Sequence, residues 1–210
     1  MQQETQKETL VTGGEKDFPV IYEDLCKQFP PEERVSYDYY IDMIRRGKYG
    51  IELFRCGQET VGYALVYHQK IPGLLWLDFL AVRQECHSSG YGGKIFQGLL
   101  EKFCKNGCGM MFCVEHVCQD NPELAKNQER RLRFYDRQGA KRLHAEFLLP
   151  CEGGLVPMYL FFSPAEGVKE LSAEIQTEAI LDFYEYCASK ICDPKQVLSQ
   201  FVHTVQNETF

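Results

Sequence analysis

Apolar residues recur every three or four positions from about residue 17 to 46 and every second position from residue 51 to 67, and this change of period separates helices from strands. Ile21, Leu25 and Phe29 line one face of a helix that Asp17 would cap and Pro30-Pro31 would stop. Tyr37, Tyr40, Ile41 and Ile44 repeat the spacing within Glu32–Arg46, a second helix that the turn at Gly47 and Gly50 closes. Ahead of both, a short strand near Glu8–Thr12 runs into the Gly13-Gly14 turn, and residues 1–6 are polar enough to fray. Ile51–Arg55 and Thr60–Tyr67 are β-branched and aromatic runs joined by Cys56–Glu59, the signature of a hairpin. Leu74–Val82 (LLWLDFLAV) is apolar almost throughout, as a strand buried on both faces would be.

Helical and extended stretches then alternate. Gly90–Phe103 predicts a helix that opens with glycines, Gly109–His116 an apolar strand and Leu124–Gln138 a charged helix. Lys141–Leu149 and Leu155–Phe162 predict two last strands, separated by Cys151–Gly154. The order β-α-α-β-β-β-α-β-α-β-β predicts an α+β domain over residues 1–163. Residues 164–210 predict a helical extension, with Ile175, Ile180, Phe183, Tyr184 and Cys187 in an apolar stripe and Pro194 near the start of a second short helix. The stripe would pack on the domain or form a dimer interface, so monomer and homodimer both stay open.

Of the 210 residues, 44% are hydrophobic and 25% charged, which suits one packed domain and excludes disorder of the whole chain. Lys plus Arg number 23 against 30 Asp plus Glu, a net charge of −7, the wrong sign for a protein that binds through phosphate contacts, so no nucleic-acid partner is expected. No run approaches the ~20 apolar residues of a membrane span. The N-terminal MQQETQKET lacks the apolar core of a secretory signal, so no membrane partner is expected and the expected location is cytoplasmic. Among ten cysteines, Cys104, Cys108, Cys113 and Cys118 stand with three or four residues between neighbours. No Cys-x-x-Cys pair occurs, so no metal site is expected, and the thiols read as small apolar residues in a reducing compartment.

Candidate chemistry gathers in Leu77–Phe96, LDFLAVRQECHSSGYGGKIF. A buried strand ends at Val82, and Ser88-Ser89-Gly90-Tyr91-Gly92-Gly93 leads into a helix. Glycines let backbone approach a ligand, and the N–H groups of a first helical turn make an anion site for which a pyrophosphate is the natural guest. The turn is not a Walker A loop, which needs Gly-x(4)-Gly-Lys-Ser/Thr. Nor is it a Rossmann turn, which follows the first strand at once and carries an acidic residue about 20 positions on. A glycine-rich helix start without a ligand is the plain alternative.

Over about residues 6–163 the sequence resembles the bacterial type of the GNAT superfamily of acyl-CoA-dependent N-acetyltransferases. Members carry a strand ending like LDFLAV and then an Arg/Gln-x-x-Gly-x-Gly/Ala loop, here His87-Ser88-Ser89-Gly90-Tyr91-Gly92. About 40 residues later comes a helix with a motif like Asn…Arg-Phe-Tyr-x-x-x-Gly-Phe, here Asn127…Arg133-Phe134-Tyr135-Asp136-Arg137-Gln138-Gly139-Ala140. Phe29–Arg34 also looks like the first-helix ending of some bacterial members. The resemblance implies a central mixed, mostly antiparallel sheet of about six or seven strands flanked by helices. It implies acetyl-CoA as the cofactor, wedged between Leu74–Val82 and Gly109–His116, and transfer of its acetyl group to a primary amine of a small molecule or peptide. The alternative it leaves is a non-catalytic acyl-CoA-binding sensor or interaction module, which His87 and the C-terminal extension would favour.

By the same resemblance, the backbone of Leu80, Ala81 and Val82 would pair with the pantetheine arm. The amides of Ser88, Ser89, Gly90, Tyr91, Gly92, Gly93 and Lys94 would hold the pyrophosphate, and Asn127 would contact the cofactor. Tyr135 would sit near the thioester sulfur and protonate the leaving thiolate; the plain alternative is a core aromatic. His87 stands where members carry Arg or Gln, so a permanent charge is missing, and Ala140 stands for Phe.

Direct attack by an amine leaves three tasks: deprotonating the ammonium, polarising the carbonyl and protonating the thiolate. Asp78, an acid inside an apolar strand, is either paired or functional. Glu115, at the end of the following strand, and His116 are the other candidate bases, and a water chain would also serve. Cys86, Cys113 and Cys118 have His87 and His116 near in sequence, but nothing else supports a thiolate nucleophile. Arg130, Arg131 and Arg133 form a solvated helix face or reach the cofactor's 3′-phosphate. Tyr37, Tyr39 and Tyr40 line an acceptor pocket or simply pack. The acidic balance favours a cationic acceptor.

Overall fold

The computed structural model describes residues 7–210; the polar end expected to fray, residues 1–6, lies outside the described residues. Two compact units divide the chain, the first made of residues up to 68 with 77–102 and the second of 69–76 with 103–210.

The first unit holds strands β1 (Glu8–Thr12), β2 (Tyr49–Cys56) and β3 (Glu59–His68), most of β4 (Leu74–Val82), and helices α1 (Phe18–Gln28), α2 (Tyr37–Arg45) and α3 (Tyr91–Leu99). The expected hairpin is present: β2 pairs antiparallel with β3, Ile51 opposite Leu65, and β1 pairs antiparallel with β2. Two expectations at the helix starts need correction. Asp17 does not cap α1; its carboxylate accepts the Gly14 N–H at 2.8 Å and closes the preceding turn. The second helix starts at Tyr37 rather than Glu32, because the chain from Pro31 makes one tight turn and then extends at Arg34. The Ser36 hydroxyl accepts from the Tyr39 N–H and sets the new start. Phe18 packs against the rings of Tyr22, Tyr37 and Tyr40 at 5.3–5.7 Å. Glu52, 1% exposed, is answered by Lys102 at 2.7 Å and the Thr12 hydroxyl at 2.9 Å, as a buried charge must be. At Gly62 a Cβ would lie 2.7 Å from the Ile95 side chain and 2.8 Å from the Ala81 carbonyl, so α3 seats here only because that atom is missing.

The second unit holds the start of β4, then β5 (Gly109–Glu115), α4 (Pro122–Arg137), β6 (Lys141–Arg142), β7 (Leu148–Cys151), β8 (Gly154–Pro164), β9 (Glu170–Leu171), α5 (Ala173–Phe183), α6 (Pro194–Ser199) and β10 (Glu208–Thr209). Leu74–Trp76 pair parallel with Gly109–Met111, while β5, β6 and β7 pair antiparallel with β8. The strand order is β1-β2-β3-β4-β5-β8-β6 with β7 also on β8, a large mixed sheet. The expected strand Lys141–Leu149 is broken after Arg142 and resumes at Leu148. The expected helical run Val168–Val205 also contributes strand residues: Glu170–Leu171 pair antiparallel with Glu208–Thr209. The Gln176 side chain donates to the carbonyls of Leu171 and Gln206 beside that pair. The apolar stripe of α5 and the turn after it meets the core through Phe183, whose ring stacks on Trp76 at 4.0 Å and 12°. Asp182, 3% exposed, accepts both the Lys70 N–H and its ammonium at 2.9 Å. Among the described residues no helix is long and apolar enough to cross a membrane.

Phe183→Ala removes the stack on Trp76 and should cost about 3–5 kcal/mol. Urea unfolding followed by tryptophan emission measures it directly, since the chain holds one tryptophan. A loss below about 1 kcal/mol would mean that the stack does not anchor α5.

Candidate active site

The glycine-rich turn of the first unit is built by two left-handed residues. After β4 a short turn spans Gln84–Cys86, and Ser88 (φ 65°) and Gly90 (φ 79°) then bend the chain into α3. Helices α2, α4, α5 and α6 each open on a side chain, Ser36, Asn121, Ser172 or Asp193, that accepts an N–H of the first turn. Helix α3 opens on Gly90, which has no such side chain. Its N-cap residue therefore gives the first N–H groups no side-chain acceptor, and the helix dipole adds to their pull on an anion. Ser88, Ser89 and Gly90 are exposed, and Tyr91, Gly92 and Gly93 half-buried. This donor set fits a diphosphate. Lys94 is not free to add its charge: its ammonium lies 2.6 Å from the Glu8 carboxylate and 5.5 Å from the Tyr91 ring centroid. His87 folds back, with a ring nitrogen 2.9 Å from the Val82 carbonyl.

Strand β4 leads into this turn. Leu80 and Val82 are half-buried and Ala81 buried, and the Val82 carbonyl also accepts from Gln28 at 3.2 Å. Asp78, half-buried in the same strand, accepts a hydrogen bond from the hydroxyl of Tyr49, which is 2% exposed. Burial pushes the Asp78 carboxyl up to about 7, and the Tyr49 hydrogen bond pulls the other way. The neighbouring Tyr40 phenol is pushed well above its ordinary value, first by burial and then by the Asp78 charge. Tyr40 is core, 1% exposed, while Tyr37 and Tyr39 are half-buried. Tyr49 was not legible as a site residue. The available signal was the lone acid in LLWLDFLAV, which had to have a donor somewhere.

In the second unit Tyr135 is 8% exposed, its ring 4.5 Å from Phe112 and 6.3 Å from Phe161. Asn127 is exposed; the buried polar residue of α4 is Gln128, whose carbonyl accepts the Cys118 N–H at 2.7 Å. Gln128 stands seven residues before Tyr135 and so shares its helix face, which a residue eight before does less well. Glu115 is ion-paired with Arg131, and Arg133 reaches Glu129 at 3.3 Å, which accounts for two of the three arginines of the basic run. His116 is exposed, with its ring 4.1 Å from that of Tyr159. The Cys86 thiol, in the first unit, is pushed up by burial and by the Glu85 and Glu59 carboxylates, the opposite of an activated nucleophile. Among the described residues no group of three or more His, Cys, Asp or Glu is placed to hold a metal ion.

The acetyltransferase (GNAT) family model matches residues 18–140. A protein from Bacteroides thetaiotaomicron assigned to the GNAT family superposes with a TM-score of 0.69 at 20% identity, covering 86% of this chain and 99% of that one. A GNAT family acetyltransferase from Elizabethkingia anophelis with acetyl-CoA bound superposes at 0.54 with 14% identity, over 77% of this chain and 99% of that one. The ribosomal-protein-S18-alanine N-acetyltransferase from Escherichia coli superposes at 0.53 with 15% identity, over 75% and 94%. At these identities the likeness is one of fold. No curated protein matches the sequence significantly. The family match spans more than half of the chain, from the first residue of α1 to just beyond the end of α4: the chain belongs to the acetyltransferase (GNAT) family, an acyltransferase with acetyl-CoA as its cosubstrate.

Proposed function

We propose that the protein transfers the acetyl group to a primary amine, of a small molecule or a peptide, by direct attack in a ternary complex. The observation that carries this reading is Asp78, a carboxyl held by the Tyr49 hydroxyl inside the strand that leads into the uncapped turn, with burial pushing it up to about 7. A general base works best with a pKa near the working pH. Asp78 has that, and its partner Tyr49 is a neutral donor that orients the carboxylate without neutralising it. Glu115 is held by the Arg131 guanidinium and His116 lies against Tyr159, so Asp78 is the better base. The Escherichia coli neighbour's name gives it an alanine amine of a ribosomal protein as acceptor, which agrees with an amine here.

Acetyl-CoA, when bound, supplies the acyl group activated as a thioester. The N–H groups of Ser88–Gly93 and of the start of α3 receive the diphosphate, as their uncapped state allows. Leu80, Ala81 and Val82 lie beyond the parallel ladder of Leu74–Trp76 and offer their backbone to the pantetheine arm. A backbone N–H of the same strand polarises the acyl carbonyl. Asp78 accepts the proton of the incoming ammonium, and Tyr135 donates its hydroxyl proton to the departing sulfur. All ten cysteines are thiols, three of them buried, which supports a reducing, cytoplasmic setting.

Asp78→Asn should lower kcat/KM by about 10²-fold or more. It should also flatten a pH profile that in the parent rises through about 7, where the base loses its proton. Because the folded-state pKa is raised, the parent loses stability as pH climbs from the ordinary carboxylate range through about 7, and the Asn variant is spared that loss. A rise of unchanged shape in the variant would place the base elsewhere. Gly92→Asp should weaken acetyl-CoA binding about tenfold or more by calorimetry. The fold should survive, since an acid in a first helical turn suits the dipole; unaltered affinity would move the diphosphate off this turn. Tyr135→Phe should slow turnover with acetyl-CoA affinity retained, and a parental rate would remove Tyr135 as the acid.

A further inference from the structure

A cavity of about 730 Å³ opens in the second unit where the expected strand Lys141–Leu149 is broken. The Leu143 N–H bonds the Leu160 carbonyl and the Met158 N–H bonds the Phe147 carbonyl; between them residues 144–146 leave the edge of β8. The C-terminal segment ties them there. Glu208 accepts from both the backbone and the imidazole of His144 at 2.9 Å, and the Thr204 hydroxyl accepts the Glu146 N–H at 2.9 Å.

The cavity has an accessible apolar lining in Leu148 and Pro157, backed by the buried Phe147, Met158 and Phe201, and a cationic element in the exposed Arg142. The Arg142 guanidinium lies 3.7 Å over the Tyr159 ring, whose other neighbour is His116. Among the described residues no carboxylate pairs with Arg142, and the buried acid Glu208 is engaged by His144. Except for His116, the lining lies beyond residue 140, outside the span matched by the family.

We propose that this cavity binds a small molecule carrying one carboxylate on an apolar body, the carboxylate on Arg142 and the body on Leu148 and Pro157. A planar guanidinium receives a carboxylate through two parallel hydrogen bonds, and its stacking on Tyr159 fixes the plane in advance. The volume lies in the range of small-molecule sites. One arginine suits a monoanion, and the exposed Glu146 on the rim disfavours a phosphate dianion. The inference does not depend on the acetyl-transfer reading.

Calorimetric titration of the full chain with 3-phenylpropionate, its neutral amide and phenyl phosphate tests it. The carboxylate should bind saturably, with the amide and the phosphate about tenfold weaker or worse. Arg142→Gln should lose a similar factor, while Glu146→Gln binds the carboxylate as well as the parent or better. Equal binding of acid and amide, no binding of the acid at millimolar concentration, or an unchanged affinity in Arg142→Gln would overturn the assignment. The comparison of acid with amide uses the parent chain and holds whether or not the Arg142 variant folds.

Discussion

A carboxylate placed inside an apolar strand must be solvated by something, and much of the site in the first unit follows from how Asp78 is answered. Three acids of the protein show the choices. Glu52 meets an ammonium and a hydroxyl, and Glu115 meets a guanidinium; both are held in ion pairs. Asp78 meets a phenol, which stabilises the anion by one neutral hydrogen bond and leaves desolvation in command. A carboxylate is thus held as an ion pair or left with a raised pKa according to the charge of its partner. Tyr49 is positioned for this by its place at the start of β2, where its backbone pairs with Tyr67.

The second determinant is an omission. A helix start leaves several N–H groups unanswered, and four helices here satisfy part of that need with a side chain. Helix α3 leaves it unmet. The left-handed Gly90 turns the chain without adding a side chain, and Gly62 leaves the space that Ile95 of the helix fills against β3. His87 turns back onto the strand, a ring nitrogen 2.9 Å from the Val82 carbonyl. The donors that this turn offers an anion are therefore backbone N–H groups, which substitution at His87 alone leaves in place.

Much of this was legible in the sequence because it depends on period and on glycine. The strand Leu74–Val82 begins and ends where its apolar run does, the hairpin follows its pattern within a residue or two, and the glycine-opened helix starts one residue late and passes after Leu99 into a wider helical turn over Leu100–Cys104. What stayed hidden depends on partners distant in the chain. Asp17 looked like a cap for α1 and instead closes a turn through Gly14. Glu32–Val35 continued a helical pattern that the extended backbone at Arg34 interrupts. Tyr49 carries no local mark of its bond to Asp78, 29 residues on, and the β9–β10 pair joins segments that each read as helix or tail.

The break in Lys141–Leu149 shows why local pattern fails there. The stretch has the composition of a strand, and an uninterrupted strand would cover the edge of β8, which bare would invite pairing with another chain. Instead the C-terminal segment supplies the acceptors, Glu208 for His144 and Thr204 for Glu146, so the backbone of 144–146 is satisfied away from the sheet. A strand opens into a bulge without leaving buried donors unmet only when something else accepts from them. The cost is low enough here because α5 is already anchored by the Trp76–Phe183 stack and the tail by its pairing with β9. The residues beyond the family's span therefore do more than extend the fold: by withdrawing three residues from the sheet they open a lined cavity of the chain's own, a feature that hydrophobic periodicity cannot encode.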